Sequence, residues 1–486
     1  MKQKLSDILK GVGVIEQVNA TDCEVEQIVF DSRKANGNTL FVAMKGTVVD
    51  GHQFIPQVLE AGCKCVVCEV IPAEYPADAM IVKVDDSSVA LGHMAANFYD
   101  NPSDKLKLVG VTGTNGKTTT ATLLYHLVMS MGYKAGLFST VANFIGKARL
   151  DATHTTPDAV TLNKTMSEMV EAGCEYCFME VSSHALVQNR VTGLKFAGGL
   201  FTNITHDHLD YHGTFKEYIA AKKSFFDGLS KQAFALTNAD DKNGQVMLQN
   251  TAAQTYTYSL KGMGNYKGRI IESMFEGMQL EIDGQEIWTQ FVGHFNAQNL
   301  LLVYGAACLL GFEKEDVQVA ISQLNPVDGR FETMRSKSGK TAIVDYAHTP
   351  DALKNVIETI NLVRQPSQQL VTVVGAGGDR DPMKRPEMAK EAVGGSSKVI
   401  LTSDNPRSEE PEAIIEQMME GVSFKERIKV LSIVNRREAI RTACMVAGPG
   451  DIILIAGKGH ETYQEIKGVR SHFDDREIVR EVFNEE

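Results

Sequence analysis

The sequence predicts an α/β protein in three domains: a small N-terminal α/β domain, a central domain on a mostly parallel sheet, and a C-terminal, Rossmann-like doubly wound domain. Three observations carry this expectation. The chain has 486 residues, which at about 150 residues per domain accommodates three separate cores. Short apolar runs alternate with helical stretches and turns, the pattern of strands covered by helices on both faces. Two breaks rich in Pro, Asn, Asp and Gly interrupt it, Asn101-Pro102-Ser103-Asp104-Lys105 and Asn325-Pro326-Val327-Asp328-Gly329-Arg330, and they set expected domains at 1–103, 104–329 and 330–486.

In the first domain, residues 25–33 and 39–46 read as strands, 52–62 as a helix and the apolar run 63–70 as a further strand. In the second, the strand KLVGV at 107–111 runs into a Gly-rich turn and a helix, and apolar runs follow at 174–184, 195–204 and 231–238. Between 255 and 290 the strands shorten, as in a local antiparallel elaboration. The third domain offers four strand candidates, at 341–350, 368–378, 397–406 and 451–460, each followed by a turn and mostly by a helical stretch.

Charge and composition exclude several classes. Lys and Arg number 49 against 61 Asp and Glu, a net charge of -12, which argues against a nucleic-acid partner. A phosphate-bearing ligand must then meet locally placed cations and backbone amides. Residues 1–17 mix charges among apolar side chains, and no run approaches the ~18 apolar residues of a membrane span. A cytoplasmic monomer without a membrane partner is expected. Cys63, Cys65 and Cys68, with Cys174 and Cys177, raise a zinc alternative, but both groups lie in strand-like stretches that suit reduced core thiols better.

Gly113-Thr114-Asn115-Gly116-Lys117-Thr118 lies between a strand and a helix, so backbone N–H groups and the helix dipole converge on one point. This makes the central domain P-loop ATPase-like, with Lys117 expected on the β/γ-phosphates, the Thr118 hydroxyl on Mg²⁺, and Thr119 beside them. The full P-loop pattern has a further glycine where this chain has Val111. Glu180 closes a predicted strand, where α/β sheets place their ligands, and reads as a metal ligand. The segment His206-Asp207-His208-Leu209-Asp210-Tyr211-His212 raises a metallohydrolase as rival, although Tyr211 stands where that pattern needs His. In the helix FKEYIAAKKSFFDGL the apolar stripe of Phe215, Tyr218, Ile219, Phe225, Phe226 and Leu229 includes Lys222 and leaves Lys223 on the polar face. An inward lysine either snorkels or is desolvated into a reactive amine.

The motifs TGTNGKTT, MEVSSHALVQNRV, DHLDYHGTF, HFNAQNLL, DGRFE, DYAHTPDAL, GAGGDRD, SDNPRSEEP and AGKGHETYQ, in that order, resemble the Mur ligase family, and within it the members that add the third peptide residue; the resemblance runs from the Asp31-Ser32-Arg33 stretch to Glu461. The resemblance implies an ATP-dependent ligase of peptidoglycan precursor synthesis that joins meso-diaminopimelate to the D-glutamyl γ-carboxylate of a UDP-N-acetylmuramoyl dipeptide through an acyl phosphate. It implies that Lys117 and Thr118 serve ATP and Mg²⁺, that Glu180 and His208 are metal ligands, and that Lys222 is carbamylated and helps hold a second Mg²⁺. Asn296 and Asn299 take the adenine side, and Arg330 and Asp345 the ribose and phosphates. Ser32 meets the uridine end, and Thr155, Thr156, Ser182, Gln188 and Arg190 the muramoyl peptide. Asp404, Asn405, Pro406 and Arg407 match the motif of members that select diaminopimelate.

Arg407 and Arg380 then bind the distal carboxylate through paired N–H donors, and Glu461 with the Gly457 backbone holds the distal ammonium. Lysine would leave a guanidinium unpaired. Closure of the third domain about residues 325–332 excludes water from the acyl phosphate. A lysine-adding relative, a folate polyglutamylating ligase and a P-loop NTPase switch are the alternatives.

Overall fold

The computed structural model describes every residue except 1, 20, 47, 48, 153, 208 and 486. The N-terminal sheet has five strands, in the order Val14–Val18, Met80–Val84, Cys65–Cys68, Thr39–Val42 and Gln27–Val29. All but the first pair are parallel. Every residue of Cys65–Cys68 is buried, because helices cover both faces, and this explains the uninterrupted apolar run. Its cysteines are core thiols, and burial pushes the Cys68 thiol up to about 11. Helix Ser87–Phe98 closes this domain, and Ala159, at the start of helix Ala159–Glu171, joins its core.

The central sheet has eleven strands. Lys107–Thr112 lies between Tyr176–Glu180 and Gly198–Phe201, parallel to both. The three carboxyl ends therefore open onto one crevice, at the place where the strand order changes direction. Phe234–Asn238 and Gln254–Ser259 extend the parallel part. Tyr266–Met274 still pairs in parallel with Gln254–Ser259, and at this end of the sheet antiparallel pairing starts with Gly277–Ile282 and continues to Gln285–Thr289; at the opposite end Asn143–Ile145 pairs antiparallel with both Ala135–Phe138 and Ala148–Leu150. The antiparallel elaboration thus begins later than the sequence suggests.

The C-terminal sheet orders its strands Glu332–Arg335, Thr341–Asp345, Ile452–Ala456, Leu370–Val374, Lys398–Leu401 and Val430–Ser432. The four inner strands are the four expected ones. The two edge strands were not expected; Glu332–Arg335 and Val430–Ser432 contain no buried residue and lack the apolar signal of a core strand. A short hairpin, Tyr463–Ile466 with Val469–His472, projects beyond the sheet.

Candidate functional site

The turn after Lys107–Thr112 leads directly into helix Lys117–Ser130. Gly116 holds φ at +88, and a Cβ there would lie 2.5 Å from Asn299 Oδ1, so a side chain at this position would collide with the Asn299 amide and strain the turn. Thr114 N donates to the Asn203 carbonyl at 2.8 Å, and Asn115 N to Asn203 Oδ1 at 3.0 Å. Lys117 Nζ folds back on the carbonyls of Gly113 and Thr114, at 2.9 and 2.7 Å. Thr118 and Thr119 are buried in the first turn of the helix.

Lys222 donates to the same Gly113 carbonyl at 2.7 Å and is 1% exposed, so the inward position expected from its helix is found. Lys223 instead pairs with Asp227. The capping box of Thr214 with Glu217 starts this helix and fixes which face turns in. Burial first, then the Lys117 charge, holds the Lys222 ammonium well below its ordinary value and favours the neutral amine. Lys117 is lowered as well, by burial, with Glu180 and Asp207 opposing.

Glu180 ends its strand 1% exposed, and its Oε1 accepts from Thr140 N at 2.7 Å and Thr140 Oγ1 at 3.0 Å. From here a chain of bonds joins the other expected residues. Thr140 Oγ1, its proton on Glu180, can accept from Thr155 Oγ1 at 3.1 Å, and Thr156 Oγ1 donates to the Glu180 carbonyl at 2.8 Å and accepts from Ser182 N at 3.1 Å. Arg190 donates to the Thr156 carbonyl at 2.7 Å and to Gln188 Oε1 at 2.6 Å. The Thr118 hydroxyl and the Glu180 carboxylate are hard oxygen donors of the kind Mg²⁺ takes, and a neutral Lys222 amine suits carbamate formation, so this donor set fits that ion. His208 lies outside the described residues. Ser32 stands apart, in a short 3₁₀ turn of the first domain capped by Asp31.

Asn296 and Asn299 are buried near the start of helix His294–Leu309, Asn296 donating to the Val292 carbonyl at 2.9 Å. Arg330 reaches from the inter-domain segment to Thr118 Oγ1 at 3.2 Å and stacks 4.3 Å from the Tyr346 ring centre. Asp345 accepts from the backbone of Phe331 and Ala347, at 2.7 and 2.8 Å; burial raises its carboxyl above the usual range, against Arg330. Two further contacts tie the domains together. Asp351 Oδ2 accepts from Asn115 Nδ2 at 3.0 Å and from Thr205 Oγ1 at 3.2 Å, and Lys384 pairs with the buried Asp207 at 2.6 Å.

In the third domain, Asp404, Asn405, Pro406 and Arg407 form the loop after Lys398–Leu401. Arg407 adopts φ +51, a left-handed conformation that costs a non-glycine residue about 1 kcal/mol. The hairpin holds it there, since Arg407 N donates to the Glu465 carbonyl at 3.1 Å and Lys467 N to the Arg407 carbonyl at 2.6 Å. Its guanidinium donates to the Gly378 carbonyl at 2.6 Å. Arg380 is exposed nearby, and both arginines flank Gly377. Gly457, at φ +118, leaves room for Asp404 Oδ2, which a Cβ would meet at 2.7 Å. Glu461 accepts from Asn405 Nδ2 at 2.8 Å and Lys458 Nζ at 2.9 Å.

The chain matches the Mur ligase family catalytic domain over residues 24–99, the Mur ligase middle domain over 111–307 and the Mur ligase glutamate ligase domain over 329–459. It is 55% identical over 483 residues to the UDP-N-acetylmuramoyl-L-alanyl-D-glutamate--2,6-diaminopimelate ligase of Phocaeicola vulgatus, covering 99% of this chain and 100% of that one. The chain belongs to the Mur ligase family. A relative of the same name from Cytophaga hutchinsonii is 56% identical, with 99% of each chain covered. A solved structure of a ligase of that name is 31% identical with a TM-score of 0.69, covering 100% of this chain and 99% of that one.

Within this Mur ligase the structure adds residues that the sequence reading passed over: Thr140, Asp351, Lys384 and Lys458. Each acts across a gap in the chain, Thr140 on Glu180, Asp351 on Asn115, Lys384 on Asp207 and Lys458 on Asn405. Asp351 and Lys458 do lie in the motifs DYAHTPDAL and AGKGHETYQ, which was the available signal; Thr140 and Lys384 carry none.

Proposed function

We propose that this Mur ligase joins meso-diaminopimelate to the D-glutamyl γ-carboxylate of UDP-N-acetylmuramoyl-L-alanyl-D-glutamate, with ATP cleaved to ADP and phosphate, in peptidoglycan precursor synthesis. One observation carries the choice of amino acid: the Arg407 loop is strained and pinned by the hairpin so that two arginines flank Gly377, next to Asn405, whose side chain donates to the Glu461 carboxylate. A ligand with both a second carboxylate and a second ammonium answers that arrangement. Lysine would leave the guanidinium without its anion, at a cost of several kcal/mol in a closed site.

Residues 1–103 take the uridine end, with Ser32; residues 104–329 take ATP and the muramoyl peptide; residues 330–486 take the amino acid. Because Thr114 N and Asn115 N are taken by Asn203, the N–H groups of residues 116–118 at the start of the helix serve the triphosphate, and Lys117 swings from its carbonyl partners to the phosphate oxygens. Asn296 and Asn299 flank the adenine, while Arg330 and Asp345 hold ribose and phosphates. Thr155, Thr156, Ser182, Gln188 and Arg190 orient the peptide so that its carboxylate oxygen attacks the γ-phosphorus in line and ADP departs. The amine of diaminopimelate then attacks the acyl carbon, phosphate leaves with the bridging oxygen, and a proton is lost from the nitrogen. Thr118, Glu180, His208 and the Lys222 carbamate would hold Mg²⁺, which would supply neutralisation of phosphate charge. The neutral Lys222 amine adds to carbon dioxide with loss of one proton to form that carbamate. The inter-domain contacts of Asp351 and Lys384 keep water from the acyl phosphate. Use of ATP assigns the reaction to the cytoplasm, and a monomer suffices because one chain supplies every group.

The test is ADP release with the UDP-muramoyl dipeptide, ATP and a panel of amino acids. Turnover with meso-diaminopimelate well above that with lysine is expected; a preference for lysine, or ADP release that needs no amino acid, would overturn the proposal.

A further inference from the structure

Lys458 is 0% exposed, yet it lies at the pocket that the proposed function assigns to the amino acid. Its ammonium donates to Glu461 Oε2 at 2.9 Å and to Asn405 Oδ1 at 3.2 Å and lies 5.4 Å from the Tyr463 ring centre. Asn405, itself 2% exposed, donates through Nδ2 to the same Glu461 oxygen at 2.8 Å and accepts from Glu465 N through Oδ1 at 3.0 Å. One carboxylate oxygen thus takes two donors, and Glu461 Oε1 takes none among the described residues. The neighbouring Asp404 is braced separately. Its Oδ2 lies 3.9 Å from Arg436, a side chain with no exposure that is bidentate to the equally buried Asp475 at 2.7 and 2.9 Å.

We infer that Lys458 is a positioning and specificity-determining residue for the amino-acid substrate, acting through Glu461 and Asn405. Two consequences follow from its placement. It occupies one oxygen of Glu461 and fixes the plane of the carboxylate, so that Oε1 is the single lone-pair surface left for the substrate ammonium. It also offsets the Glu461 charge, so that Arg407 and Arg380 dominate the field of the pocket. A substrate carrying two carboxylates and two ammonium groups, neutral as a whole, fits that field; lysine, with one net positive charge, is repelled by it. Arg407 thereby supplies the attraction for the second carboxylate, and Lys458 the repulsion against an amino acid that lacks one.

This inference rests on the proposed function, and its test separates the two. In the full-length enzyme, Lys458→Met keeps the length of the side chain and removes the charge. We expect it to raise the KM for diaminopimelate by about tenfold or more and to narrow the preference over lysine by a similar factor. The KM for ATP and the ADP–ATP exchange seen with dipeptide alone, which reports acyl-phosphate formation before the amino acid enters, should stay within about twofold, because Lys458 contacts neither substrate of that step. Lys458→Arg should recover part of the discrimination. If Lys458→Met fails to fold because Glu461 loses its cation, Lys458→Gln, which removes the charge but keeps a donor for Glu461 and leaves the substrate-facing carboxylate in place, is read in the same assay. An unchanged KM for diaminopimelate with unchanged preference would overturn the inference, as would an equal loss in the exchange reaction. A wild-type enzyme that does not use diaminopimelate would instead overturn the functional proposal itself.

Discussion

The turn at 113–118 and the pocket around 404–407 and 457–461 present opposite kinds of chemistry. The turn offers mainly main-chain N–H groups at the start of helix Lys117–Ser130, and neighbouring residues in sequence are neighbours in space. The pocket offers buried side-chain charge gathered from two loops, a hairpin and the starts of two helices, with Lys458, Asp475 and Arg436 all essentially without solvent contact. A backbone cradle depends on local geometry and tolerates change elsewhere. A buried ion network depends on every member, because removing one partner leaves another charge uncompensated. Substitutions in the two regions should therefore fail differently: those in the turn should abolish phosphoryl transfer, and those in the pocket should change which amine is accepted.

The largest expected effect sharpens the first half of that contrast. Lys117→Ala should lower amino-acid-dependent ADP release by about 10³-fold or more, through loss of the charge that meets the transferring phosphoryl group; near-normal turnover would break the comparison. Next, Arg407→Ala should reduce kcat/KM for diaminopimelate by about 100-fold while raising that for the much weaker lysine reaction, because the unpaired guanidinium that opposes lysine is removed. Equal losses for both amino acids would mean that the loop serves the fold and not selection.

Asp351 joins the two halves. Its carboxylate accepts from Asn115 in the turn and Thr205 in the neighbouring loop, so Asp351→Ala should lower kcat about tenfold with a smaller change in ATP dissociation, as expected of a contact that forms on domain closure. Distances between labels on the second and third domains, measured with nucleotide bound, should broaden in this variant.

The smallest effect concerns His460, whose imidazole is pushed down to about 3 by burial, with Arg330, Arg476 and Lys458 contributing. The unfolded chain binds this proton below about pH 6.5 while the folded protein does not until about pH 3. Stability therefore falls as pH drops through that window, by at most about 1.4 kcal/mol per pH unit from this one group. His460→Gln should flatten the denaturant-midpoint curve between pH 6.5 and 4.5 by up to that slope, and an unaltered curve would show that the ring is hydrated.

The same contrast explains what was legible in the sequence. The turn is contiguous and sits at a strand-to-helix junction, and Lys222 is marked by the helical period, so both are visible without coordinates. Thr155, Thr156, Ser182, Gln188 and Arg190 come together only through hydrogen bonds among three loops, and it is the resemblance to a family that points to them. Lys384 carries no local signal at all, because its meaning lies in Asp207, 177 positions away in the chain. The two edge strands escaped for a related reason: strands that bury no side chain leave no hydrophobic pattern to read.

The central claim is that the triphosphate gripped at 113–118 gives its terminal phosphoryl group to the substrate carboxylate before the amine arrives. It is tested most directly by labelling that carboxylate of the UDP-muramoyl dipeptide with oxygen-18 and analysing the inorganic phosphate formed on full turnover with diaminopimelate. One labelled oxygen per phosphate is the predicted result, because the carboxylate oxygen that attacks phosphorus leaves with it. Phosphate free of label would contradict the account.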